Sequence, residues 1–122
     1  MTQFSLKKII EAMFDLSGVD GVHPKEMALI RNVVKGMWEG TEESLKDFLT
    51  VTQKNMAANY RPGGSKMAQE FEKKLDELVP MIEGPDIQIC HDLIKSVINS
   101  DDQVSLEEIE LYKVFKAKLK LD

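Results

Sequence analysis

One pattern, written twice, constrains this chain more than any other feature. Ile9-Ile10-x-x-Met13-Phe14 leads into an acidic bend, and the same spacing recurs in Leu93-Ile94-x-x-Val97-Ile98 before a second one. Apolar pairs set three and four residues apart lie on one face of a helix. Each bend is followed by a helix-start signature that reads Val-cap-x-x-Glu-apolar. In the later copy Ser105 is the cap and Glu108, at the third helical position, completes a capping box. Val104 and Ile109 are spaced as its hydrophobic staple. The earlier copy keeps Val22 and Met27 as the staple, Glu26 at the third position and His23 at the cap. Pro24 sits at its first position, where the missing amide would lack a partner anyway. The two copies predict an internal duplication of a helix-turn-helix unit.

The rest of the chain also follows helical periodicity. A first helix over about Phe4 to Leu16 is expected to bury one face through Leu6, Ile9, Ile10, Met13 and Phe14. A second, from Pro24 to about Trp38, buries Met27, Ile30, Val33, Val34 and Met37, with Gly36 inside it suggesting close approach of another backbone. Gly40 stops it, Thr41 caps the next, and Leu45, Phe48, Leu49, Thr52 and Met56 give the third stripe. Arg61-Pro62-Gly63-Gly64 is the clearest break and marks the boundary of the two halves. Gly63-Gly64-Ser65-Lys66 lacks the first glycine and the lysine-hydroxyl ending of a phosphate loop, so it reads as a turn. A fourth helix, Ser65 to Leu78, turns Met67, Phe71, Leu75 and Leu78 inward, and Lys66, Glu70, Glu72, Lys73, Lys74 and Glu77 form its charged face. A fifth runs from Pro85 to Asn99, burying Ile87, Cys90, Leu93, Ile94, Val97 and Ile98. The sixth, from Ser105, turns Ile109, Tyr112, Phe115 and Leu119 inward. Lys113, Lys116, Lys118 and Lys120 meet its negative end. No stretch alternates with period two. The predicted fold is all-α, a single compact domain over residues 1–122 with six or seven helices.

Bulk properties exclude several functions. A length of 122 residues supports a core without disulfides or metal, and a net charge of -5 disfavours nucleic acid and anionic membranes as partners. The lone Cys90 rules out an intrachain disulfide and suits a reducing compartment. No apolar run reaches the roughly 20 residues that span a bilayer, and no secretory signal opens the sequence. The cytoplasm is the expected location.

The chemistry left to consider is that of carboxylates. Asp15, Asp20 and Glu26 cluster at the first bend, and Asp101, Asp102 and Glu108 at the second. Hard divalent cations, calcium or magnesium, take oxygen ligands from such loops. The second bend spaces Asp101 and Glu108 like the fifth and twelfth positions of an EF-hand, but Val97 then stands at the first position, which needs an oxygen. Asp102 replaces its glycine, so an EF-hand is rejected. The carboxylates also have a purely structural reading, Glu26 and Glu108 as capping-box members and the aspartates as turn formers.

Asp20-Gly21 with Glu26, and Asp101-Asp102-Gln103-Val104-Ser105-x-x-Glu108, resemble the paired acidic helix-turn-helix motifs of the TerB-like family of tellurite-resistance proteins. The resemblance spans Ile9 to about Leu119. It implies a bundle of about seven helices, a divalent cation at Asp20, Glu26, Asp101, Asp102 and Glu108, and a role in bacterial stress responses without established catalysis.

An enzyme is not expected. The only histidines are His23 and His91, and His91 points about 100 degrees away from Cys90 on a helix. Cys90 falls on the apolar stripe as core, and five of the seven methionines do the same. Two functional readings follow: a cation-responsive module that binds other proteins, or a structural domain, including a homodimer, whose acidic bends only cap helices.

Overall fold

The computed structural model describes residues 1–17, 24–59, 65–99 and 106–121. The helices are α1 (Gln3–Ser17), α2 (Pro24–Val34), α3 (Glu42–Asn59), α4 (Ser65–Leu78), α5 (Gly84–Ile98) and α6 (Leu106–Lys118). A 3-10 turn, Val79–Met81, follows α4 at Pro80, which cannot continue the α-helical ladder. No strand occurs among the described residues, and the fold is all-α.

Helix α1 is the axis of the molecule. Its first two turns are amphipathic, with Lys7 exposed and Leu6, Ile9 and Ile10 buried. Its last turns depart from the one-faced helix that the periodicity predicts. Ala12, Met13, Phe14, Asp15 and Leu16 are all at most 1% exposed, and five consecutive residues span the full circumference. The cause is enclosure: α1 packs chiefly on α4 and α5, and also touches α2, α3 and α6. Burying a leucine or phenylalanine stabilises by roughly 1.5–3 kcal/mol, so this helix supplies much of the core.

The other elements close around it. Phe71, Leu75 and Leu78 of α4 are buried as their spacing predicts, and so are Cys90, Leu93, Ile94, Val97 and Ile98 of α5. The repeated apolar quartets, Ile9-Ile10-Met13-Phe14 and Leu93-Ile94-Val97-Ile98, therefore occupy the same core. On α3, Leu45 and Leu49 are buried and Phe48 packs at the edge. The Ser44 amide donates to Thr41 Oγ1 at 3.0 Å, the expected cap.

Three local expectations are corrected. Helix α2 ends at Val34 rather than near Trp38, and Gly36 lies in the turn beyond it. No backbone approaches Gly36, since a Cβ there would meet nothing within 4 Å. The glycine with a steric reason is Gly40. Its φ is +134°, and an added Cβ would lie 2.8 Å from Ser44 Oγ and 3.1 Å from Trp38 Nε1. That space is taken because the Trp38 indole N–H donates to Ser44 Oγ at 2.9 Å while its ring stacks on Phe48 at 5.3 Å. The third correction concerns α6. Ile109 faces out at 38% exposure, whereas Glu108, Leu111, Phe115 and Leu119 form the buried stripe. Phe115 and Leu119 are buried as expected, and only the first half of the stripe differs, with Glu108 and Leu111 taking the inward places expected of Ile109 and Tyr112.

Candidate functional site

The first acidic group is best described at Asp15. Seated in the last turn of α1, it is 1% exposed, and Lys74 of α4 donates to its Oδ2 at 2.6 Å. Burial pushes the Asp15 carboxyl up to about 6; the Lys74 ammonium opposes this, and Glu11 and Glu70 add to the rise. Lys74 thus leaves the charged outer face assigned to it, and Asp15 leaves the set of open cation ligands. Its neighbours on that face are also engaged. Glu77 meets Lys8 at 2.8 Å, and Lys118 bridges Glu72 at 3.1 Å and Asp76 at 2.8 Å. Lys118 therefore does more than face the α6 dipole.

The second acidic group is described only at Glu108, in the first turn of α6 and 4% exposed. It is an engaged carboxylate rather than a free one. Asp20, Asp101, Asp102, Val22, His23, Val104 and Ser105 lie outside the described residues. Glu26 falls in the first turn of α2, with its side chain also outside them. Among the described residues no group of three or more His, Cys, Asp or Glu side chains is placed to hold a metal ion.

Near Glu108, α6 exposes two large apolar side chains. Leu106 is 78% exposed and Ile109 38%. The start of α6 thus buries the Glu108 carboxylate and exposes Leu106 and Ile109 beside the exposed Glu110. The sequence signal for this was present in Leu106-x-x-Ile109, spaced as one helical face, but the staple reading placed Ile109 inward.

A second cluster lies where α5 meets α6. The His91 Nε2 and Tyr112 Oη are hydrogen-bonded at 2.7 Å, their rings stack at 5.9 Å, and Phe115 lies 6.1 Å from the imidazole. Lys116 Nζ sits 4.8 Å over the Tyr112 ring. Burial, with Lys95 and Lys116 adding to it and Asp92 opposing, holds the His91 imidazole below its ordinary value. Sequence reasoning considered His91 only against its neighbour Cys90, and the two do diverge. Cys90 is buried in the core, where burial and the Asp86 carboxylate push its thiol up to about 12. Such a thiol is not a nucleophile at neutral pH.

These features define a helical bundle with a buried ion pair, an outward apolar helix start and a His-Tyr-Lys cluster. No described helix is long and apolar enough to cross a membrane. No family model, curated protein or solved structure matches the chain.

Proposed function

We propose that this chain is a non-catalytic helical module of a bacterial stress-response type that acts by binding other proteins. In this reading a divalent cation, calcium or magnesium, at the acidic bends of Asp20, Glu26, Asp101, Asp102 and Glu108 sets the position of α6. The observation that carries it is the outward apolar start of that helix, Leu106 and Ile109, immediately after the second bend. A cation drawn by Asp101 and Asp102 would hold the start of α6 and fix those two side chains for a partner. The motif resemblance to TerB-like proteins supports the same reading. The buried, engaged Glu108 favours an alternative in which the bends are structural and the apolar face serves self-association.

Thermal melting with added calcium or magnesium separates the two. A cation held by the folded state stabilises it by about 2.7 kcal/mol at a hundredfold excess over its Kd, and the cation reading requires a rise in Tm. An unchanged Tm in millimolar metal leaves only the structural reading.

A further inference from the structure

The junction of α5 and α6 carries a feature the proposed function does not use. His91 and Lys95 stand one turn apart on α5, Tyr112 and Lys116 one turn apart on α6, so each pair shares a helix face. The 2.7 Å bond between His91 and Tyr112 draws the two faces together. Lys8, Lys74, Lys113 and Lys118 each meet a carboxylate. Lys95 and Lys116 meet none within 4 Å among the described residues, on a chain with a net charge of -5. The nearest carboxylate in sequence, Asp92, accepts from the Gln88 amide at 2.8 Å on the adjoining face of α5.

We propose that His91, Lys95, Tyr112 and Lys116 form a binding site for a phosphate group carried by a small anion or a lipid headgroup. The hydrogen bond between ring and phenol leaves a donor for the ligand in either tautomer. If the phenol donates to Nε2, the Nδ1–H is free; if Nε2–H donates, the phenol O–H is free. Two ammonium groups then supply charge-assisted bonds, and Tyr112 is already polarised by Lys116 over its ring. A phosphate, with three terminal oxygens, can use this many donors from different directions, whereas a carboxylate offers two oxygens in one plane. The groups facing His91 are Lys95 and Asp92 on its own helix and Lys116 on α6. In the unliganded protein the two lysines disfavour the imidazolium. A bound anion reverses that field, so binding and protonation of His91 are reciprocally coupled.

The test is an NMR pH titration of the His91 ring at constant ionic strength, with His23 as the internal reference. It is run in chloride, in inorganic phosphate, in glycerol phosphate, and with phosphatidic acid vesicles against phosphatidylcholine vesicles. The expected result is a rise in the His91 pKa of about half a unit or more in at least one phosphate arm, with His23 unmoved. A response to the two soluble compounds assigns a small phosphate ligand, and a response to phosphatidic acid vesicles alone assigns a headgroup. Lys95→Gln with Lys116→Gln should weaken that binding about tenfold or more, since both charge-assisted bonds are lost. Tyr112→Phe should weaken it less and keep the ring stacking. Lys46→Gln, on α3, should change nothing. An identical His91 titration in all arms, or undiminished binding by the double lysine variant, overturns the proposal.

Discussion

Asp15 is a carboxylate placed where water cannot reach it, and its behaviour follows from that. Its folded value of about 6 lies above the ordinary 3.8, so the folded protein holds the Asp15 proton more tightly than the unfolded chain does. The stability this adds is fully present below about pH 3.8 and is lost as pH rises through about 6. The loss is on the order of 2–3 kcal/mol for a shift of this size. Melting curves between pH 4 and 8 should therefore show a downward slope in wild type minus Asp15→Asn. Removing Lys74 has the complementary effect. Lys74→Met leaves a buried, uncompensated carboxylate at pH 7.5 and should cost about 3 kcal/mol in chemical denaturation, and clearly less at pH 5, where Asp15 takes a proton. Gly40 offers a steric counterpart. Gly40→Ala forces a side chain to φ +134° and against Ser44 Oγ, so a loss of about 1–3 kcal/mol is expected by the same measurement.

At the scale of elements, α6 is where pattern and packing part company. Its apolar residues include Leu106, Ile109, Leu111, Tyr112, Val114, Phe115 and Leu119, which are spread around the helix, so periodicity alone leaves its orientation open. The staple rule picked Ile109; the packed core picked Leu111. Stability measurements distinguish the two orientations. Leu111→Ala should cost about 2–5 kcal/mol and Ile109→Ser less than about 0.5 kcal/mol. Helix α4 was legible at Phe71, Leu75 and Leu78, because its apolar positions are sparse among charges, while the Met67 side chain lies outside the described residues. Helix α1 was legible as a helix, yet its complete enclosure was not. That property arises from the elements packed around it, and the sequence of a helix does not name its neighbours. The same limit hid Lys74: its charged neighbours made it look like surface, and only the fold brings Asp15 to it across 59 residues.

For the whole molecule, the repeated apolar quartets meet in one core, which is what the duplicated pattern requires of them. The second helices of the two hairpins bury different registers: α2 buries Ile30 and Val34, and α6 buries Glu108, Leu111, Phe115 and Leu119. The first-hairpin carboxylate described in full, Asp15, is committed to α4, whereas the second hairpin carries Glu108 inside and Leu106 outside. Asp15 and Glu108, the carboxylates of the two bends whose side chains are described, are therefore both engaged. The sequence made the carboxylates at the bend before α6 visible. It did not reveal which face of α6 the bend would present.

The most direct test follows the methyl resonances of Leu106 and Ile109 while calcium is added to wild type and to a variant with Asp101→Asn and Asp102→Asn. The account predicts saturable shifts of both residues in wild type, complete by about millimolar calcium, and none in the variant. Methyl resonances that stay fixed in wild type under the same calcium would contradict it.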